Sequence, residues 1–332
     1  MRVTVVGAGA FGTSLAASLA NSGNSVRLWA REPEIASQIN QQHENAVYLA
    51  GVPLPEKVLA TSDIQEAVDR AEMAVLAAPS HATRAVATSL RPLLPPHIPI
   101  VCVAKGIEND TLLTMTEVLE DVFPTERHPY LSVLSGPSFA REVAMKLPTA
   151  VTVAALWERV AREVQKAFSF DRFRAYTSTD VVGVQFGGAL KNVVAIAAGC
   201  ADGLGFGDNA RAALITRGLA EITRAAVRRG ANPMTLAGLS GLGDLVLTCT
   251  GELSRNRQLG LALGKGMKMS EALKDKRTVA EGVKTAISAV GLAEKLGVAM
   301  PIAQETYKIL FEDKPAKQAV VDLMTRELKA EV

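Results

Sequence analysis

A chain of 332 residues, 48% hydrophobic and 21% charged, is long enough for two domains with cores of their own and too apolar to be disordered. A formal net charge of +2 offers no broad field for nucleic acid or a membrane surface, so any anion must be met by local charge. Cys102, Cys200 and Cys249 are far apart and form no C-x-x-C pair, which argues against a disulfide framework or a metal site and points to a reducing compartment.

The first predicted element is a β-branched run, Arg2–Val6 (RVTVV), which opens into Gly7-Ala8-Gly9-Ala10-Phe11-Gly12 and an Ala/Leu-rich helix over residues 13–20. Strand, glycine turn and helix in that order are the G-x-G-x-x-G dinucleotide fingerprint. Gly7 serves the tight turn, Gly9 the approach of a pyrophosphate, and Gly12 the close packing of helix on strand. The helix start would aim unpaired N–H groups and a partial positive charge at the phosphates. Residues 25–30 (SVRLWA) read as the second strand, and the position that discriminates NAD from NADP falls at Arg31. Arginine there suits the 2′-phosphate of NADPH, the favoured cofactor, while Glu32 beside it leaves NADH open. Tyr48 lies in an irregular stretch, residues 43–55, where composition favours an aromatic that plugs a gap over one that covers a ring.

Helices are predicted over Pro33–Gln42, residues 63–70 with Ser62 as cap, 83–94 and 112–122. Between them, residues 73–78 (MAVLAA), 100–104 (IVCVA) and 131–134 are continuous apolar runs, the mark of parallel strands covered on both faces. This alternation predicts an α/β fold with an N-terminal Rossmann-type doubly wound parallel sheet. Ligands of such sheets sit beyond the carboxyl ends of the strands. Lys105-Gly106 stands at one such end, where the glycine is expected to admit a ligand, and Ser135-Gly136-Pro137-Ser138-Phe139-Ala140 stands at another. Strands over residues 150–154 and 173–176, around a helix over 157–168, extend the sheet. Beyond Thr179 strand signal gives way to helix signal. The expected division is therefore residues 1–179, an NAD(P)-binding domain, and 180–332, an all-helical domain for substrate binding and catalysis. The opening strand lacks the features of a signal peptide, and the longest apolar stretch, near residues 181–200, is broken by Lys191 and glycines, so no membrane insertion and a cytoplasmic location are expected.

Lys191 sits among Val184, Leu190, Val193, Val194 and Ile196, where most lysines snorkel to water. Gly187 and Gly188, one turn back, would leave bare backbone beside the ammonium for a ring or small substrate, and desolvation there would tune the lysine as a proton donor and acceptor. Asp244, in Gly241-Leu242-Gly243-Asp244, reads as a helix cap ahead of a ligand contact. Ser254 reads as an N-cap, with Arg255 and Asn256 in the first turn of a phosphate-receiving helix; two solubilising surface arginines are the equal alternative.

These motifs, from the glycine turn through Lys105-Gly106, Ser135 to Ala140, Gly187-Gly-Ala-Leu-Lys-Asn192, Gly241-Leu-Gly-Asp244 and Ser254-Arg-Asn256 to Val279-Ala-Glu-Gly282, run in the order found in bacterial NAD(P)-dependent sn-glycerol-3-phosphate dehydrogenases, which the chain resembles over nearly its whole length. The resemblance implies reversible reduction of dihydroxyacetone phosphate to sn-glycerol 3-phosphate, supplying phospholipid synthesis. It implies Lys191 as the catalytic acid and base. Substrate would touch Lys105, Gly136, Ser138, Lys191, Asp244, Ser254, Arg255 and Asn256. Cofactor would touch Gly7, Gly9, Ala10, Phe11, Gly12, Arg31, Tyr48, Lys105, Ala140, Arg255, Val279 and Glu281. Ala10 replaces a frequent Ser or Thr, and Arg31 stands where His is also common; both bear on cofactor preference.

Two other readings compete. A β-hydroxyacid dehydrogenase shares the two-domain plan and the spacing of Gly187 and Lys191, but normally has Asn at the position of Ala195, whereas here Asn is at 192. A non-enzymatic NAD(P)-sensing module would need neither the lysine nor the Ser-Arg-Asn segment. Apolar runs in the helical half fit a homodimer and a buried core equally well.

Overall fold

Strand formation follows the apolar runs. β1 (Arg2–Val6), β2 (Ser25–Trp29), β3 (Val58–Thr61), β4 (Met73–Leu76), β5 (Ile100–Cys102), β6 (Leu131–Ser135), β7 (Thr149–Ala155) and β8 (Phe173–Ser178) form one sheet in the order β3-β2-β1-β4-β5-β6-β7-β8. The computed structural model describes residues 1–274, 280–328 and 330–331. The chain divides into one compact unit of Met1–Glu108 with Leu113–Gln185 and a second of Asn109–Leu112 with Phe186–Val332.

In the first unit β3 through β6 are parallel, β7 runs antiparallel to β6, and β8 is parallel to β7, so the predicted sheet is mostly rather than wholly parallel. Side chains alternate across it. Val3, Val5, Val75, Val101 and Leu134 join a core with α1 (Ala10–Asn21), α2 (Pro33–Gln42) and α7 (Glu158–Phe168). Ala74, Leu76, Ile100, Cys102 and Val133 join another with Val68 of α3 (Ile64–Val68), α4 (Thr83–Leu90) and α5 (Met115–Val122). Helices thus cover both faces, which is why these strands are apolar throughout. A short helix, α6 (Ala140–Ala144), follows the β6 turn.

Several boundaries differ from expectation for local reasons. β3 was not expected; it is a four-residue edge strand with Leu59 half exposed, too short for a periodic signal. The cap of α3 is Asp63, whose carboxylate accepts from the Gln65 N–H at 2.8 Å, and not Ser62. α4 stops at Leu90 because Pro92 has no N–H to continue the ladder. α5 starts only at Met115: Leu112 is left-handed (φ 59°), and Thr114 and Glu117 form a capping box.

The second unit is helical among the described residues: α8 (Val181–Gly203, its first turn in the first unit), α9 (Gly207–Arg228), α10 (Pro233–Leu236), α11 (Asp244–Thr250), α12 (Arg255–Gly264), α13 (Met269–Ala272), α14 (Glu281–Leu296), α15 (Pro301–Phe311) and α16 (Ala316–Met324). α8 is long and apolar enough to cross a membrane by length and composition, yet 83% of its most apolar window is buried inside the protein. α8 and α12 meet backbone to backbone. A methyl on Gly199 would lie 2.1 Å from Arg257 O and one on Gly203 2.5 Å from Leu261 O; reciprocally, methyls on Gly260 and Gly264 would lie 2.0 and 2.3 Å from Ile196 O and Cys200 O. Four glycines, two per helix and four residues apart, therefore set this contact.

Glu221 on α9 is buried and caps α15, accepting from the Ile302 N–H at 2.8 Å and the Ala303 N–H at 3.3 Å. Burial pushes its carboxyl up from the ordinary 4.5 to about 7. Because the fold keeps this proton to higher pH than the unfolded chain does, the associated stability is full below about pH 4.5 and is lost as pH rises to about 7. The loss is on the order of 3 kcal/mol. Denaturant unfolding at pH 5 and pH 8 is expected to show this decline, and Glu221→Gln is expected to flatten it; equal slopes for the two proteins would show that Glu221 does not carry the effect.

Candidate active site

The first unit supplies a glycine turn at the carboxyl edge of the sheet. Gly7 has φ +119°, and a methyl there would lie 2.9 Å from the Ala77 carbonyl at the end of the neighbouring β4. A methyl on Gly12 would lie 1.9 Å from Gly7 O, so that glycine sets the closeness of helix and strand. A methyl on Gly9 would meet no protein atom within 4 Å, which leaves the turn open where a pyrophosphate approaches. Gly9 is the N-cap of α1, whose first turn carries no acidic residue, and the first ladder bond runs from Thr13 N to Gly9 O. The N–H groups of Ala10, Phe11 and Gly12 precede that bond, in the first turn, where a helix leaves its amides outside the ladder and able to receive an anion. These residues fit a dinucleotide.

Around this turn the other predicted residues gather. Lys105 donates to Gly136 O at 3.0 Å and lies 5.8 Å from the centre of the Phe11 ring. Ser138 Oγ donates to the same carbonyl at 2.9 Å, so Gly136 O joins two predicted substrate residues, while Ala140 begins α6 just beyond. Gly136 itself is left-handed at φ +141°, with β7 backbone 2.9 Å from where its methyl would be. Gly106 does not open a path to Lys105 as expected: a methyl there would collide with Ser80 Oγ at 2.5 Å, so its role is packing. Arg31 is exposed and pairs with Glu32 at 2.6 Å, which raises the guanidinium pKa further above its ordinary value. Tyr48 is partly buried and packs against the core.

The second unit holds the lysine. Lys191 does not snorkel: its side chain is 9% exposed and its ammonium lies 2.5 Å from Asp244 Oδ1 and 2.7 Å from Thr248 Oγ1. Asp244 is 1% exposed at the side chain and opens α11, with Gly243 as N-cap, so its carboxylate serves the ammonium and not the helix end. Thr248, one turn on, donates in turn to Asp244 O at 2.6 Å. Gly187 is not a bare platform for a ligand. A methyl there would lie 2.3 Å from Ser240 O, in a π-turn (Leu239–Gly243) that the glycine admits against α8, bringing Asp244 to Lys191.

Ser254 caps α12 as predicted, accepting from Arg257 N at 3.2 Å. Arg255 in the first turn is exposed, whereas Arg257 is held by Asp202 through Nε at 2.8 Å and Nη2 at 2.7 Å. Asp202 also receives Arg211 at 2.9 Å. Asn256 is buried and its side chain is engaged: Nδ2 donates to Asn192 Oδ1 at 2.9 Å and Oδ1 accepts from Gly282 N at 3.0 Å. This bridge ties the starts of α12 and α14, with Glu281 at the latter, to the residue beside Lys191. Val279 lies outside the described residues.

Family profiles for the N-terminal and C-terminal parts of NAD-dependent glycerol-3-phosphate dehydrogenase match residues 2–161 and 180–321. The chain belongs to this family. It is 63% identical over 332 residues to the glycerol-3-phosphate dehydrogenase [NAD(P)+] of Myxococcus xanthus, covering 100% of this chain and 99% of that one. It is 56% identical to the enzyme of the same name from Anaeromyxobacter dehalogenans, with both chains covered completely. The crystal structure of glycerol-3-phosphate dehydrogenase from Coxiella burnetii superposes with a TM-score of 0.92 at 38% identity, covering 98% of this chain and 99% of that one. As a member of the glycerol-3-phosphate dehydrogenase family the chain is an NAD(P)-dependent oxidoreductase.

Thr248 and the Asp202–Arg257 clamp were not singled out as site residues from sequence. Thr248 could have been found from its spacing to Asp244, which puts it one turn on along the same helix face. In this family member Lys191→Met is expected to destabilise the fold by about 3 kcal/mol, because it takes the ammonium away from the buried Asp244 carboxylate. Lys191→Met with Asp244→Leu is expected to recover most of that loss in chemical denaturation, and full additivity of the two changes would argue against the pair.

Proposed function

We propose that the first unit, with the boundary at residues 179/180, holds NAD(P) and that the second binds substrate and carries the catalytic group, Lys191. The reaction is interconversion of dihydroxyacetone phosphate and sn-glycerol 3-phosphate, with glycerol phosphate passing to phospholipid synthesis. The observation that carries the reading is the buried Lys191 ammonium held by Asp244 and Thr248 on the helix that also packs against α12 and, through Asn192, bonds Asn256 in its first turn. The nicotinamide, when bound, gives or takes hydride.

The chain's own part is proton transfer and placement. In reduction Lys191 Nζ gives a proton to the oxygen of the ketone as the carbon gains hydride; in oxidation Nζ takes it back. Asp244 steadies the ammonium, and Thr248 fixes its direction. Arg255 and the first-turn amides of α12 receive the phosphate, with Ser254 and the Asn256 bridge holding that turn in place. Lys105, Gly136 and Ser138 complete the substrate contacts. Gly7, Gly9, Ala10, Phe11, Gly12, Tyr48, Ala140, Val279 and Glu281 complete those to the nucleotide, with Arg31 on the 2′-phosphate of NADPH.

Lys191→Ala is expected to lower kcat about 100-fold or more while NADPH binding, followed by fluorescence, persists; near-normal turnover would remove Lys191 from the chemistry. Arg255→Ala should act chiefly on KM for dihydroxyacetone phosphate, and an unchanged KM would argue against the phosphate role. Arg31→Ala should raise KM for NADPH more than for NADH, and an equal effect on both would show that Arg31 does not read the 2′-phosphate.

We also propose a homodimer in the cytoplasm. Exposed Met234, Val246 and Leu253 on the helical unit support the dimer, and three buried cysteines that form no disulfide are in keeping with a reducing compartment. Sedimentation at micromolar concentration tests the dimer, and a mass of one chain would reject it.

A further inference from the structure

Asn45 lies in the stretch that sequence reads as irregular, yet its side chain is fully buried and every polar atom on it is used. Nδ2 donates to Ala8 O and to Thr13 Oγ1, each at 2.8 Å, and Oδ1 accepts from Tyr48 N at 3.1 Å. Thr13 Oγ1 donates to the same Ala8 O at 3.2 Å, filling both lone pairs of that carbonyl. The amide orientation is forced, since turning it over would set oxygen against the Ala8 carbonyl and nitrogen against the Tyr48 N–H.

Ala8 is the residue between Gly7 and Gly9. Its carbonyl is drawn toward two fully buried side chains, Asn45 and Thr13, while the neighbouring Gly9 opens outward. A carbonyl oxygen turned to the open side would repel an approaching phosphate; here it is held inward. The same amide anchors Tyr48, and the Asn45 carbonyl receives Leu49 N at 2.8 Å, so a single side chain joins the glycine turn to the Tyr48 segment.

We propose that Asn45 is a positioning residue for the nucleotide, holding the pyrophosphate turn and the Tyr48 segment in one fixed arrangement. This rests on the glycine turn being the NAD(P) site. Asn45→Asp replaces the donor facing Ala8 O and Thr13 Oγ1 with a carboxylate oxygen. At pH 8 the Kd for NADH, titrated by nicotinamide fluorescence on the full chain, is expected to rise about tenfold or more over that of the unsubstituted protein. At pH 5.5 part of this loss should be recovered, because a protonated carboxyl regains one donor. Asn45→Ala should weaken binding at both pH values without recovery. At saturating NADPH, kcat and KM for dihydroxyacetone phosphate should stay within twofold.

A purely structural role would lower the melting temperature while leaving Kd unchanged in the folded protein, and that result in Asn45→Ala or Asn45→Asp overturns the proposal. Gly9→Val separates the two levels. If it binds NADH as the unsubstituted protein does, the nucleotide reading itself fails; if it loses binding while both Asn45 variants keep theirs, only the role of Asn45 falls.

Discussion

A charged amine taken out of water must be compensated where it sits, and the second unit is arranged around that requirement. Lys191 is carried on a largely buried apolar helix, and Asp244 brings a carboxylate to its ammonium. The carboxylate reaches it because Gly187 lets the π-turn before α11 come against α8, and Thr248 fills a further donor of the amine from the next turn of α11. One glycine, one π-turn and two side chains thus turn an unfavourable burial into a paired ammonium held in a fixed place. The acid and base role proposed for Lys191 depends on this pair.

Glycines elsewhere divide into those that admit the protein's own backbone and those that face outward. Gly12, Gly187, Gly199, Gly203, Gly260 and Gly264 belong to the first kind, since a methyl on any of them would overlap a carbonyl. Gly9 belongs to the second. In the glycine turn both kinds cooperate: Gly7 and Gly12 bring helix and strand together, Gly9 keeps the front clear, and Asn45 with Thr13 holds the Ala8 carbonyl inward.

What could be read from sequence follows how local each cause is. Gly7, Gly9 and Gly12 act within a dozen residues of one another, and Ser254 caps a helix that begins at the next residue, so their roles were legible. The alternation of buried strands and helices likewise foretold the doubly wound sheet. The direction of β7 was not legible, because antiparallel and parallel runs of Thr149–Ala155 would have the same composition. Asp244 read as a cap because its partner lies 53 residues earlier in the chain, and Gly106 and Gly187 read as openings because Ser80 and Ser240, which fill those openings, are also distant. Asn45 gave no signal at all, since its partners in the glycine turn are more than 30 residues away and an isolated asparagine in an irregular stretch reads as a turn former.

The reciprocal glycines of α8 and α12 make the distance between the helix that carries Lys191 and the helix that Ser254 caps a matter of main-chain thickness. Such a caliper has no adjustable jaw: rotamers cannot widen it, and any larger residue at those four places breaks the instrument before it resets the gauge. The spacing of these two helices is then set by the backbone and cannot be tuned by exchanging side chains elsewhere in the unit.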